Sequence, residues 1–166
     1  MNHTRTVYSF TFLPRVLAAL LVVAAIGLSL PAVAEAQSGR PGIRGGVSGD
    51  PDQFYFGAHF DTGPLVEDLS FRPNIEVGLG EDLTTVAANF EFVYWFPLQR
   101  RPWSFYAGGG PALNVYRFEN RGDDETDTKP GFNLLIGIAH RQGLFAEFKL
   151  GLIDSPEIKF GIGYSF

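Results

Sequence analysis

Apolar and polar positions alternate along most of this chain. At the end, Phe160, Ile162, Tyr164 and Phe166 are apolar, while Lys159, Gly161, Gly163 and Ser165 between them are polar or small. One segment earlier, Leu144, Ala146, Phe148, Leu150 and Leu152 alternate with Phe145, Glu147, Lys149 and Gly151. The pattern recurs where Phe132, Leu134, Ile136 and Ile138 face away from Asn133, Leu135, Gly137 and Ala139. It recurs again for Ala88, Phe90, Phe92, Tyr94 and Phe96 against Ala87, Asn89, Glu91, Val93 and Trp95. Ile75, Val77 and Leu79, and before them Phe54, Phe56, Ala58 and Phe60, repeat it, and Ile43, Gly45 and Val47 do so more weakly. A period of two is the signature of a β-strand with one greasy face and one small or wet face.

With Trp103 to Tyr116 the count reaches eight strands, over residues 41–48, 53–61, 70–80, 84–96, 103–117, 131–140, 144–153 and 157–166. Most match the roughly 9–11 residues that a tilted strand needs to cross a bilayer. Eight is the smallest even number common in outer-membrane barrels. The fold class expected for residues 37–166 is therefore all-β, an eight-stranded antiparallel up-and-down transmembrane barrel. Ser48-Gly49-Asp50-Pro51-Asp52, Arg141-Gln142-Gly143 and Asp154-Ser155-Pro156 supply turns. A polar loop is expected over 119–130, on the outer side if both chain ends are periplasmic, since long loops lie outside. Tyr94, Phe96, Trp103, Phe105, Tyr164 and Phe166 fall at one set of strand ends, and Phe54, Phe118 and Phe132 at the other, as an aromatic girdle would. Pro73 and Pro111 fit badly in strands without a free edge. The run Gly108-Gly109-Gly110-Pro111 predicts a bulge or bend.

The first segment has a different character. Arg5 and Arg15 precede an apolar run from Val16 to Leu30, and Ala32, Ala34 and Ala36 follow Pro31. That order predicts a secretory signal peptide over 1–36, cleaved after Ala36 or, alternatively, after Ala34. Its removal takes two arginines and one glutamate from a chain of formal charge −5, leaving −6. The acidity argues against nucleic acid as a partner. There is no cysteine, so neither a disulfide framework nor a thiolate metal site is available.

The final residues also resemble a known signal. Lys159, Gly161, Tyr164 and Phe166 fill the four defined places of the terminal pattern of bacterial outer-membrane barrels, polar-x-Gly-x-x-aromatic-x-aromatic. That resemblance implies insertion by the barrel-assembly machinery among outer-membrane lipids. The stretch from Trp103 to Pro111 is similar to a strand common in the OmpA-like, OmpX-like and opacity-type barrels. The likeness covers about residues 41–166 and implies residence in the outer membrane. The chain departs from that group in its short outer loops and in lacking a second domain that could bind peptidoglycan, which speaks against the group's adhesion and cell-wall roles here. A monomer without cofactor is expected.

An eight-stranded barrel has an interior that side chains fill. The inward positions include Arg44, Arg72, Lys149 and Lys159, with Asp61, Glu76, Glu91 and Glu147, and with His59, Asn89, Asn114 and Asn133. The charge network predicted for the lumen is Arg44, Glu76, Glu91, Glu147, Lys149 and Lys159. Buried charges there must pair. A structural plug is the expected role, and a narrow gated pore the sharper one. No catalytic residue is assigned. His59 reads as a lumen residue, His140 has no serine near it in sequence, and the His-x-Ser-Asn pattern of lipid A deacylases is absent. No metal ligands are assigned either, since Asp123, Asp124, Glu125 and Asp127 lack calcium-loop spacing. Arg121-Gly122-Asp123 reads as a solvated loop tip. Two other classes remain: a soluble lipocalin-like barrel, in which the greasy face would point inward, and a lipid-A-modifying enzyme.

Overall fold

The computed structural model describes residues 39–98, 101–119 and 124–166. The signal segment with Ala34 and Ala36, and the triplet Arg121-Gly122-Asp123, lie outside the described residues. The strands are β1 (Arg40–Gly49), β2 (Gln53–Asp61), β3 (Pro64–Val66), β4 (Leu69–Leu79), β5 (Leu83–Pro97), β6 (Trp103–Glu119), β7 (Asp124–His140), β8 (Leu144–Ile153) and β9 (Ile158–Ser165). β3 is a three-residue accessory that pairs only with the start of β4. The other eight pair antiparallel in sequence order, β2 joining β4 directly. β9 then pairs with β1, from Gly42↔Ser165 to Gly49↔Ile158, and the sheet closes. We call the end that holds Arg40 and Phe166 the near rim, and the other the far rim.

Closure fixes the faces. Ile136 and Phe160, on the apolar phase, are 60% and 52% exposed, while Glu91 and Lys149, on the alternate phase, are 0% and 1% exposed. The greasy face is the outer wall. The interior is filled, with Val93, Tyr106 and Leu135 clustered and Trp95 and Ala139 packed against them toward the near rim. At the far rim Ser155 and Pro156 are buried. Asn114 Nδ2 and the Tyr116 hydroxyl donate to the Asp154 carbonyl at 2.9 and 2.8 Å, which holds that loop in place.

Four expectations are corrected. The polar stretch 119–130 is mostly strand: β6 runs to Glu119 and β7 begins at Asp124, and the two pair throughout, as in Tyr116↔Asp127 and Val115↔Thr128. β8 accompanies β7 only as far as Gly131↔Ile153, so the two strands rise past it as a ribbon. The β7 half of the ribbon, residues 124–130, has no greasy face, which is why periodicity missed it. The other far-rim connections are short, and the near-rim segment 62–68 is longer than any of them, so the contrast of long outer loops with short inner turns is absent among the described connections.

Nor does the glycine run before Pro111 make a bulge. The β5–β6 ladder skips Phe90–Pro111 and Glu91–Gly110 but keeps its frame, with Asn89↔Ala112 before the gap and Phe92↔Gly109 after it. Pro111 pairs with Phe132 on its other side. Pro73 likewise pairs with Phe90 of β5, while the β2–β4 ladder ends one residue away at His59↔Asn74. A proline lacks one donor, and each sits where one ladder is interrupted. A closed wall therefore accommodates both without a free edge.

Gly110 is needed for close approach, since a Cβ there would run into the Phe90 carbonyl. Gly49 is different, because its Cβ would meet only an Asp52 carboxylate oxygen, at 3.9 Å. Gly110→Val should lower folding stability in a urea titration by about 1–3 kcal/mol or more, while Gly49→Ala should leave the midpoint nearly unchanged.

Candidate functional site: a charge network that fills the lumen

The six predicted network residues come from five strands and meet because the barrel is narrow. Lys149 Nζ donates to Glu91 Oε1 at 2.6 Å and to Glu76 Oε1 at 2.9 Å. Lys159 Nζ donates to Glu76 Oε2 at 2.8 Å. Arg44 Nη1 donates to Glu147 Oε1 at 3.0 Å and to Glu76 Oε1 at 3.4 Å. All these side chains are buried.

The structure adds members that the predicted set lacked. Arg72, placed inward by its phase, donates from Nη2 to Glu147 Oε2 at 2.5 Å. The Tyr106 hydroxyl donates to the same oxygen at 2.9 Å. Asn74 Nδ2 donates to Glu91 Oε2 at 2.8 Å, Asn89 Nδ2 to Asn74 Oδ1 at 2.7 Å, and Asn133 Nδ2 to Asn89 Oδ1 at 2.8 Å. Each amide in this chain polarises the next toward the carboxylate. The sequence signal was available for Arg72 and Asn74, which share the inward phase of Glu76 on β4. Tyr106 shares the phase of inward Asn114 on β6, but the bulge expected at Gly108–Pro111 between them left that phase unfixed.

The result is lopsided in one respect. All six oxygens of the three carboxylates have donors, yet Arg44 Nε and Nη2 and Arg72 Nε have no hydrogen-bond partner. Aromatic faces take up part of the excess of cations. The Arg72 guanidinium carbon lies 4.7 Å from the Tyr106 centroid and 5.9 Å from that of Phe145. That of Arg44 lies 5.6 Å from Phe145, and Lys159 Nζ lies 5.2 Å from Tyr55. These are cation–π distances. With every carboxylate oxygen bonded, the cluster is suited to filling and bracing the barrel.

The terminal pattern divides between the two faces. Lys159 and Gly161 are buried in the lumen, whereas Tyr164 and Phe166 are exposed, their rings 5.4 Å apart. Beside them lies a pair that sequence separation concealed. His59 Nε2 and the Ser165 hydroxyl are hydrogen-bonded at 2.9 Å across β1, where a side chain on Gly42 would strike the imidazole. In the triad arrangement the base beside a serine nucleophile is itself oriented by a third group. His59 Nδ1 has no partner, and the ring packs edge-on against Phe145 at 5.3 Å. The pair instead ties β9 to β2. Arg40 Nη2 donates to the Ser165 carbonyl at 3.2 Å, and the Phe166 N–H to the Pro41 carbonyl at 2.8 Å, at the same closure. At the near rim a cavity of about 330 Å³, lined by Arg40, Asp61, Asp68, Ser70 and Trp95 among others, opens outward.

This architecture is that of the small eight-stranded outer-membrane barrels. The chain is similar to the N-terminal β-barrel domain of Pseudomonas aeruginosa OprF (TM-score 0.61, 14% identity) and to neisserial surface protein A, NspA (0.59, 17%). It is also similar to Ail, the attachment invasion locus protein of Yersinia pestis (0.50, 13%). Each comparison covers 80% of this chain and 100% of the other. At these identities the likeness is one of fold. No protein-family model matches the chain, and no curated protein sequence does.

Glu147 joins the two arginines, so Glu147→Gln should cost about 3–5 kcal/mol by leaving a buried charge uncompensated. Arg72→Met should cost less in the Glu147→Gln background than alone. A double-mutant cycle from urea unfolding reads that coupling, and additive losses would mean that the pair is not coupled.

Proposed function

We propose that the chain is a non-enzymatic, integral protein of a bacterial outer membrane, with a structural role and both ends of its chain on the periplasmic side. The observation that carries this is the distribution of the faces. Large apolar side chains from every long strand stand exposed around the wall, and the charged groups are inside. In water such a wall would be a continuous apolar patch far larger than a soluble monomer carries. A lipocalin-like binder needs the opposite arrangement. Lipid is the solvent that suits this wall, because closure gives each of the eight long strands a hydrogen-bonded neighbour on both sides.

The packed lumen supports a plug with at most narrow permeability. The charge network blocks the middle, Trp95 and Tyr106 pack on the near side, and the Ser155-Pro156 loop closes over the far side. Export through a cleaved signal, insertion by the barrel-assembly machinery and a monomeric state belong to the same proposal, which rests for them on residues 1–36 and on the terminal pattern.

The test is migration in detergent gels. Membrane fractions should hold the protein, and boiled and unboiled samples should migrate differently. Identical migration, with the protein in the soluble fraction, would contradict the proposal. In reconstituted vesicles, arabinose should cause no porin-like swelling, and Glu91→Ala should leave bilayer conductance unchanged if the network is a brace. A change in conductance would instead assign it a gating role.

A further inference from the structure

At the near rim the outer wall carries a concavity of about 490 Å³, lined by Trp103, His140, Gln142, Leu144 and Tyr164. Trp103 and His140 are cross-strand partners on β6 and β7, and Leu144 and Tyr164 are partners on β8 and β9. Four strands thus contribute to one outward-facing hollow, at the height where a membrane interface would fall.

The hollow is held rigidly. The Arg141 N–H donates to the Pro102 carbonyl at 2.8 Å, the Gly143 N–H to the His140 carbonyl at 2.8 Å, and the Ser165 N–H to the Gly143 carbonyl at 2.9 Å. Gly143 has φ +109°, a conformation open to glycine, and a side chain there would strike the Ser165 carbonyl. Trp103 and His140 stack edge to face, with centroids 4.7 Å apart.

Its side chains bring several hydrogen-bond donors together. The Gln142 backbone N–H donates to His140 Nδ1 at 3.3 Å, which places the ring proton on Nε2. Nε2–H is then a donor, as are the Trp103 indole N–H, the Gln142 amide and the Tyr164 hydroxyl. Among the described residues none of these four donates to a protein acceptor. The lining offers no carboxylate. Away from the rim the wall is apolar, and the short side chain of Ala146 lies between its larger ladder partners Ile138 and Ile162.

We infer that this hollow binds the phosphodiester headgroup of one glycerophospholipid, with an acyl chain lying along the wall over Ala146. A phosphodiester offers oxygen acceptors to a cluster of donors, and Trp and Tyr favour the headgroup level. The inference rests on the membrane reading above, since only a lipid-facing wall would meet such a ligand.

The full barrel, refolded in detergent, is examined by native mass spectrometry with three probes: palmitoyl-oleoyl phosphatidylethanolamine, the diacylglycerol with the same chains, and sn-glycerol 3-phosphate. The expected result is retention of one phospholipid, with weak retention of diacylglycerol and none of glycerol 3-phosphate. Trp103→Leu/His140→Leu/Gln142→Leu keeps the wall apolar and should weaken phospholipid retention by about tenfold or more, the loss of at least one hydrogen bond to a charged acceptor. Leu134→Ala, elsewhere on the wall, should have no effect. A barrel that shows heat-modifiable migration but retains diacylglycerol equally, or a triple variant that retains phospholipid unchanged, overturns the site and leaves the membrane reading standing. A protein that stays soluble and retains neither lipid overturns both.

Discussion

A sheet that closes on itself through the β1–β9 ladder pairs its backbone polar groups within its own wall, and in a medium without water that pairing is obligatory. Closure also turns a linear alternation into an inside and an outside. Once β9 meets β1, each residue's phase decides whether its side chain faces the lumen or the surroundings. The ends of the chain secure the closure themselves: the Arg40 guanidinium grips the Ser165 carbonyl, Phe166 binds back to Pro41, and His59 reaches Ser165 over Gly42.

The lumen must then be filled by whatever the inward phase supplies, and here it supplies charge. A buried ion needs a partner because its desolvation costs several kcal/mol. Glu76, Glu91 and Glu147 each bind at least two donors, so the cluster acts as a unit that crosses the barrel from β1 and β9 to β4 and β5. Its worth lies less in any one ion pair than in the cost of breaking the set. The aromatic rings of Tyr55, Tyr106 and Phe145 serve as the remaining partners for the cations.

Much of this was legible in the sequence, because a period of two survives any error in strand ends. Arg44, Glu76, Glu91, Glu147 and Lys149 could be grouped from phase and height, and Lys159 joined them by phase alone. What phase cannot give is which residues meet across the barrel. The His59–Ser165 bond spans 106 positions, and the Tyr106 contact with Glu147 spans 41. Periodicity also fails where both faces are wet, which is why the start of β7, residues 124–130, looked like a loop. Pro73 and Pro111 looked like misfits because a lone sequence does not say which ladder a missing N–H would have joined.

The central claim is that the apolar face meets lipid and the charged face does not. The chain has no cysteine, so a single introduced thiol reports one position. Spin labels at Ile136→Cys and Phe160→Cys, on the wall, and at Ala87→Cys, in the lumen, can be compared in vesicles for collision with oxygen and with a water-soluble nickel chelate. The account predicts that the wall labels collide strongly with oxygen and weakly with the chelate, and that the lumen label collides weakly with oxygen. Wall labels that collide freely with the chelate would contradict it.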